Sequence, residues 1–283
     1  MEIIVIDNNS SDDTLQMLHQ EFPEVIVIAN KHNNGFAKAN NQGFKICSAK
    51  YVFILNPDTV VKPGTLHALV DVLENDPTVG IVGPTLVLPN GEIQRDCARL
   101  LQNIGMTLFY ETLHFNKLPI IGPIIIKHYL FPYDHSKAQP VEAVTGCACM
   151  LRSTTLQEIG GFYEEYLHCG EDLELSYTVN KMGLSNYYTP KGVVLHYDKG
   201  SSRQASVRIS VNALISNELF FKRCKSNFQA FIYKYIILLI QIPLLFMFSV
   251  IRRVLGMLSK EEYIRRRNIV SAICKWKPIS SDK

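Results

Sequence analysis

Short apolar runs that end in polar residues alternate with helical patterns along most of the chain. Runs rich in valine, isoleucine and leucine predict strands over 3–6, 25–28, 51–55, 79–83, 141–151 and 193–195. The periodic patterns between them predict helices over 12–20, 36–48, 63–75, 153–159 and 170–182. A capping box of Ser10 and Asp13 is expected to begin the first helix. Alternating strands and helices favour an α/β fold with a mixed, mostly parallel sheet flanked by helices.

The run Tyr51–Leu55 is the strand around which the predicted fold is organised. It has no polar break, which suits a strand buried on both faces of a parallel sheet. Asn56, Pro57 and Asp58 follow it directly. Open α/β sheets bind ligands outside the carboxyl ends of their strands, so Asp58 there suits Mg²⁺ or Mn²⁺ holding substrate phosphates. A polar turn, with Asp58 capping the helix near Pro63, explains the same residues equally well.

Further candidate residues lie at the boundaries of, or inside, later predicted elements. Glu171 and Asp172 begin a predicted helix, where the dipole favours negative charge, although such acids are common at helix starts. His196 ends the last predicted strand, where a structural histidine is the commoner case. Gly146 lies inside a predicted strand, which indicates close approach by a ligand or by another strand.

Composition narrows the class of protein. Among 283 residues, 47% are hydrophobic and 19% charged, which is enough for a sizeable core and excludes global disorder. The net charge of +3 is too small to indicate a nucleic-acid partner, and none is expected. Seven scattered cysteines favour reduced thiols in the cytosol over a disulfide framework, and no signal peptide follows Met1.

Two regions depart from the alternating pattern. Residues 90–139 hold apolar pieces broken by glycine and proline, interpreted as an excursion over the sheet that helps to shape an acceptor pocket. Residues 228–251 are strongly apolar, contain Gln241 and Pro243, and have basic flanks. This segment favours a pair of interfacial helices on a membrane surface, while a transmembrane span and a buried core helix remain the alternatives.

Several motifs in this order resemble family 2 glycosyltransferases, in the rhamnosyltransferase-like subgroup. Those similar to the nucleotide-sugar half are Asp7-Asn-Asn-Ser-Ser-Asp12, Asn34-Gly-Phe-Ala37, Asn40-Asn-Gln-Gly43 and Asn56-Pro-Asp58. Those similar to the acceptor half are Thr145-Gly-Cys-Ala-Cys-Met150, Ile159-Gly-Gly-Phe162, Gly170-Glu-Asp-Leu-Glu-Leu-Ser176, and His196 with Gly200 and Ser202. The resemblance covers about residues 1–205 and implies a GT-A fold.

The resemblance also implies an activity of the hexosyltransferase type. A sugar, with rhamnose the candidate named by the subgroup, would pass with inversion from a nucleoside-diphosphate sugar to a saccharide or lipid-linked acceptor in cell-surface polysaccharide synthesis. Asp58 matches the last aspartate of the D-x-D metal motif, in which Asn56 and Pro57 replace earlier carboxylates. His196 matches a histidine that completes metal or diphosphate binding. Asp172, with Glu171 beside it, matches the general base.

The same resemblance implies which residues contact the donor. Asp7 and Asn8 match positions that meet the nucleoside, and the remaining substrate-binding candidates are Asn34, Gly35, Asn40, Asn56 and Gly146. The resulting domain plan is a glycosyltransferase domain over 1–205, a linker helix over 206–227, a membrane-associating segment over 228–253 and a basic tail over 254–283. The protein is then expected at the cytoplasmic face of the cell membrane, as a peripheral or monotopic protein.

Family members also carry a strand and a helix before the strand that here begins at Ile3. The chain is therefore expected to be a fragment or to begin from a misplaced start, and the strands beside the missing one should lack hydrogen-bond partners. Two rival functions remain. One is an inactive nucleotide-sugar-binding fragment, and the other is a different nucleotidyl-sugar enzyme on a similar sheet.

Overall fold

The computed structural model describes residues 1–130, 132–167, 169–197 and 207–277. The chain divides into two compact units, which we call the first and second units. The first unit comprises Met1–Ala98, His135–Tyr166 and Glu171–Tyr197. The second comprises Arg99–Asp134, Leu167–Gly170 and Asp198–Lys283, of which only the described residues are discussed.

Ten strands and ten α-helices form the described part of the chain. The strands are β1 Ile4–Asp7, β2 Ile26–Ala29, β3 Tyr51–Leu55, β4 Thr59–Val61, β5 Val79–Val87, β6 Ala98–Arg99, β7 Gln139–Val141, β8 Ala143–Val144, β9 Ala148–Arg152 and β10 Ser185–His196. The helices are α1 Thr14–Glu21, α2 Gly35–Ile46, α3 Thr65–Asn75, α4 Gly122–Ile125, α5 Ser153–Ile159, α6 Glu171–Lys181, α7 Val207–Phe220, α8 Asn227–Ile236, α9 Ile242–Val254 and α10 Lys260–Lys275.

Of the three sheets in the described residues, two lie wholly in the first unit. β1 and β2 pair in parallel in a sheet of their own, with Ile4 beside Ile26. The larger sheet has the order β3-β9-β5-β10-β4, and β7 also pairs with β10. β5 and β10 are parallel, whereas β9 runs antiparallel to both β3 and β5. The mixed sheet expected from the sequence is confirmed, although half of its six strands run opposite to the other half.

Helix α3 covers the middle of the larger sheet. Its Leu69 and Leu73 are buried against Val79 and Val82 of β5 and Met150 of β9. β3 pairs only with β9 among the described strands, and only Ile54 in it is fully buried. The prediction that this strand is buried on both faces of a parallel sheet is therefore wrong. β3 is the edge strand of this sheet among the described strands and runs antiparallel to its one neighbour, β9.

Local details differ from the predicted elements for identifiable reasons. The capping box is wrong, because Asp13 makes no side-chain capping bond and the Ser10 N–H donates to Asp7 instead, 3.2 Å away. The strand predicted over 141–151 is divided among the end of β7, β8 and β9, with breaks at Glu142 and around Gly146. The last strand begins eight residues earlier than predicted, at Ser185, because tyrosine, asparagine and threonine fill its first half.

The second unit is helical in the described residues. Its core contains Phe221, Tyr233 and Ile237, with Ile273 of α10 packed against them. α8 and α9 join through a π-helical stretch into one helix of 28 residues, Asn227–Val254, instead of the expected pair. Its most apolar window of 18 residues has a mean hydropathy of 2.1. By length and composition this helix could cross a membrane. Only 22% of its most apolar window is buried, whereas a core helix of a soluble protein would be mostly buried.

Candidate active site

Asp58 and His196 lie together at the ends of neighbouring strands. β4 pairs antiparallel with β10, with Thr59 opposite His196, and the Tyr197 N–H donates to the Asp58 carbonyl at 2.9 Å. This register brings His196 Nε2 to 3.4 Å from Asp58 Oδ1. The other ring nitrogen, Nδ1, lies 2.6 Å from Gln94 Oε1. The two residues predicted as metal ligands are thus brought together.

The donor set of this pair fits a hard divalent cation. Two ligands at right angles around Mg²⁺ or Mn²⁺ are about 3 Å apart, so a separation of 3.4 Å needs only a small closure. Across the described ranges, no group of three or more histidine, cysteine, aspartate or glutamate side chains could hold a metal ion. Asp58 and His196 would therefore supply two ligands and leave most positions to substrate oxygens and water, as Mg²⁺ commonly prefers.

An amide network lies at the carboxyl ends of β1 and β2. Asn30 Nδ2 donates to Asn8 Oδ1 at 3.0 Å and to Gln42 Oε1 at 2.8 Å, while Gln42 Nε2 returns a bond to Asn30 Oδ1 at 2.9 Å. Asn8 Nδ2 donates to the Gly35 carbonyl at 3.1 Å. Because each amide is fixed by another, the network presents a preorganised polar surface at the edge of this sheet.

The other predicted donor residues lie close to this network. Asp7 is buried and its carboxylate accepts the Ser10 N–H, so it shapes the turn after β1. Asn34 and Gly35 are exposed at the start of α2. The Asn40 side chain donates to the Phe36 carbonyl at 2.9 Å, one turn back in the same helix. Their contacts with a nucleoside remain predictions.

Asp172 is held by the backbone of the turn between β8 and β9. Its Oδ2 accepts the Gly146 N–H at 2.9 Å and its Oδ1 accepts the Leu173 N–H at 2.9 Å. A Cβ at Gly146 would lie 3.1 Å from the Asp172 Cβ and 3.6 Å from the Phe36 ring, so the glycine permits this approach. The Asn56 N–H donates to the Cys147 carbonyl at 2.8 Å, which places the end of β3 beside the same turn.

The loop after α5 is fastened to α2. Asn41 donates to the Phe162 carbonyl and accepts the Phe162 N–H, both at 2.8 Å, and it also donates to Glu164 at 2.9 Å. The Phe162 ring packs beside Phe36 and Phe44, with ring centroids 5.5 and 5.6 Å away. This clamp fixes the first residues after α5 against α2.

Two buried thiols near this site, those of Cys149 and Cys97, are poorly suited to act as nucleophiles. Burial raises the pKa of Cys149, and the nearby Asp172 carboxylate raises that pKa further. Burial likewise raises the pKa of Cys97 to about 11. Neutral thiols are poor nucleophiles, so the cysteines that lie within or near the sheet favour a structural role.

Sequence reasoning missed Asn30 and Gln94, and it included Gln42 in a family motif without assigning it a role. Asn30 follows β2 directly. The pattern that singled out Asp7, a polar residue at the end of a strand, therefore also applies to Asn30. Gln42 faces Asn30 from α2, and Gln94 reaches His196 from a turn 102 residues away in sequence; no local pattern indicates either contact. Gly200 and Ser202, matched to the family motif, lie outside the described residues.

Comparison with known proteins identifies the family. The model of Glycosyl transferase family 2 matches residues 1–160. An N-acetylglucosaminyl-diphospho-decaprenol L-rhamnosyltransferase of Mycobacterium tuberculosis is 24% identical, with 71% of this chain and 68% of that protein covered. An O-antigen biosynthesis protein of Myxococcus xanthus is 30% identical over 73% of this chain and 16% of its own length. A poly-beta-1,6-N-acetyl-D-glucosamine synthase of Staphylococcus aureus is 35% identical, over 67% and 41% respectively.

Solved structures agree on the fold. A mannosyltransferase from Pyrobaculum calidifontis, in complex with GDP-Man and Mn²⁺, has a TM-score of 0.55 at 17% identity and covers 97% of this chain and 77% of its own. GalNAc-T7 with UDP, GalNAc and Mn²⁺ has a TM-score of 0.56 at 18% identity, covering 79% and 43%. The chain therefore belongs to glycosyl transferase family 2, is a glycosyltransferase of the rhamnosyltransferase-like kind, and has the GT-A fold.

Proposed function

We propose that this glycosyltransferase transfers a sugar, with inversion and with a divalent cation, from a nucleoside-diphosphate sugar to a saccharide or lipid-linked acceptor in cell-surface polysaccharide synthesis. The observation that carries the proposal is the pair of Asp58 and His196, whose facing atoms lie 3.4 Å apart at adjacent strand ends. The names of the relatives from Mycobacterium, Myxococcus and Staphylococcus support envelope polysaccharides as the product class. Rhamnose is the first donor sugar to test, since the Mycobacterium relative is named for it.

The chain's own residues suit a single displacement. The acceptor oxygen would bond to the anomeric carbon as the bond from that carbon to the diphosphate oxygen breaks, and the acceptor proton would pass to Asp172. Each Asp172 oxygen accepts one backbone N–H, so the carboxylate is held in a fixed orientation at the start of α6. Asp58 and His196 would hold a divalent cation, which when bound neutralises charge on the departing diphosphate. Glu171 is the neighbouring candidate for the base.

Recognition of the nucleoside is assigned to the amide network. Asn8, Asn30 and Gln42 offer both donors and acceptors, which suits the polar edges of a base or ribose. Asp7 stabilises this surface, because its buried carboxylate accepts the Ser10 N–H and so fixes the turn that carries Asn8.

We assign a membrane surface as the partner of the segment 228–253, and the catalytic role to the domain over 1–205. One side of the long apolar helix packs into the core of the second unit, whereas apolar side chains on its other side are exposed, namely Phe228, Phe231, Tyr235, Leu239 and Val254. Exposed lysine and arginine precede it at 222, 223 and 225 and lie in its last turn at 252 and 253. A helix with one packed face and one exposed apolar face between basic flanks suits an interfacial position on anionic lipid.

The test compares Asp58→Ala with wild type by Mn²⁺-dependent binding of nucleotide sugars and by transfer to a membrane extract. Loss of a ligand should weaken Mn²⁺-dependent donor binding by at least about tenfold. The unfolding temperature should remain unchanged, because Asp58 is a partly exposed strand-end residue. Asp71→Ala, an exposed carboxylate on α3, is the matched control.

Equal donor affinity with and without Mn²⁺ in wild type would refute the metal-dependent mechanism. Donor binding by wild type with no transfer to any acceptor in the extract would instead favour the rival function, a nucleotide-sugar-binding protein without activity.

A further inference from the structure

Gln94 is placed beside the metal-ligand pair by a turn that backbone bonds and the Asn90 side chain hold. The turn follows β5: the Gly91 N–H donates to the Leu88 carbonyl at 2.9 Å, and the Leu88 N–H donates to the Glu92 carbonyl at 2.8 Å. The Gln94 N–H then donates to the Leu86 carbonyl at 2.9 Å. Gly91 has a φ of +84°, which glycine adopts without strain. The Gln94 side-chain amide is therefore not needed to form the turn.

This turn aligns Gln94 with the end of β10. Val87, the last residue of β5, pairs in parallel register with Leu195, the residue before His196. The half-buried Gln94 side chain reaches the buried His196 ring and places its Oε1 2.6 Å from Nδ1. Among the described residues no other hydrogen bond reaches the ring, so this contact sets its orientation together with the strand pairing.

The contact requires a proton on Nδ1 of His196. An amide oxygen only accepts hydrogen bonds, so Nδ1 must be the N–H donor. In the neutral ring, Nε2 then has a free lone pair, which faces Asp58 Oδ1 at 3.4 Å. Two lone-pair donors that face each other at this distance repel unless a cation lies between them. Histidines that bind metals are commonly fixed in this way, by an acceptor on the nitrogen opposite the metal.

We propose that Gln94 is a positioning residue for the cation site: its amide oxygen holds His196 as the Nδ1–H tautomer, so that Nε2 faces a divalent cation shared with Asp58. The inference rests on the proposed function, because it deepens the same site. Gln94 itself does not touch the cation, and it acts only through His196.

The experiment uses the full chain in detergent with three variants. Gln94→Met removes the acceptor at similar length, and Gln94→Glu retains an acceptor oxygen. Glu92→Gln, in the same turn, is the control for changes to the turn alone. Metal-free protein labelled with ¹⁵N-histidine is examined by NMR at pH 8, with the His196 signals assigned from a His196→Asn spectrum. Mn²⁺ binding in the presence of UDP, GDP or dTDP is measured separately by electron paramagnetic resonance.

We expect the Nδ1–H tautomer in wild type, in Gln94→Glu and in Glu92→Gln. In Gln94→Met the ring should move towards the Nε2–H tautomer, because Asp58 is then the remaining acceptor. The Mn²⁺ dissociation constant should rise about 10- to 100-fold in Gln94→Met only, the usual range for the loss of such an outer partner. Unfolding temperatures should agree among all variants.

Each contrary result has a distinct meaning. Nε2–H or doubly protonated His196 in metal-free wild type would overturn the proposal, as would an unchanged tautomer in Gln94→Met. If wild type binds Mn²⁺ with a nucleoside diphosphate and Gln94→Met binds it equally well, Gln94 has no positioning role, although the proposed function stands. If wild type binds no Mn²⁺ with any of the three nucleotides, the metal site itself is refuted, and both proposals fail with it.

Discussion

Gly161 offers a sharp test of the clamp between α2 and the loop after α5. Its φ is +85°, and a Cβ there would lie 2.5 Å from Asn41 Oδ1, the atom that accepts the Phe162 N–H. Asn41 is buried, so it has little room to retreat. Gly160, one residue earlier, has a φ of +82°, but a Cβ there would meet nothing within 4 Å. The two glycines therefore share the backbone strain and differ in the clash.

The magnitudes follow from this difference. The left-handed backbone conformation costs alanine about 1–2 kcal/mol of folding free energy at either position. Gly161→Ala should also displace Asn41 and lose its two bonds to the Phe162 backbone, which contribute about 1 kcal/mol each. We therefore expect Gly160→Ala to lower the free energy of unfolding by about 1–2 kcal/mol and Gly161→Ala to lower it by about 3–4 kcal/mol.

Two measurements check this expectation. Urea unfolding followed by circular dichroism gives the stabilities of both variants. Hydrogen exchange at the Phe162 amide should accelerate about thirtyfold more in Gly161→Ala than in Gly160→Ala, which corresponds to about 2 kcal/mol. In an Asn41→Ala background the two variants should become equivalent. Equal effects of both glycine variants in the native background would refute the reasoning.

The remaining predictions concern the base and the membrane. Asp172→Asn keeps its shape but cannot accept a proton, so turnover should fall by at least about a hundredfold while donor affinity stays near that of wild type. If Glu171→Gln loses turnover instead, Glu171 is the base. On the membrane side, serine at three exposed apolar positions should lower partitioning into anionic vesicles by at least about tenfold without unfolding the core; the changes are Phe228→Ser, Phe231→Ser and Leu239→Ser. Unchanged sedimentation of that triple variant would place the anchor elsewhere, with residues 120–126 the next candidate.

The membrane test uses point substitutions for a structural reason. Deleting the chain from Asn227 onward would remove Tyr233, Ile237 and Ile273, which belong to the core of the second unit. A deletion would therefore confound loss of the anchor with loss of fold. The sequence shows an apolar segment, but only the packing reveals which of its side chains face inward.

Local sequence patterns predicted where strands and helices form better than they predicted which of these elements lie side by side. Tyr51–Leu55 is a strand as predicted, because five consecutive apolar residues before an Asn-Pro pair allow few alternatives. Its partner, β9, begins at Ala148, far along the chain, and nothing within either segment states that they pair antiparallel. For the same reason Asp58 and His196 were expected separately at strand ends, while Gln94, which contacts His196 from the turn after β5, was not expected at all.

Helix α2 contacts both the residues assigned to the donor and the turn that holds Asp172. At its start, Gly35 accepts a bond from Asn8 of the amide network. Phe36 follows and lies against the position of Gly146, whose N–H holds Asp172. Further along the same helix, Asn41 fastens the loop that leads towards α6. The residues assigned to the donor and the residue assigned as the base are therefore positioned by one rigid helix. A change that displaces this helix should alter donor affinity and turnover together, whereas a change at Asp58 or at Asp172 should separate them.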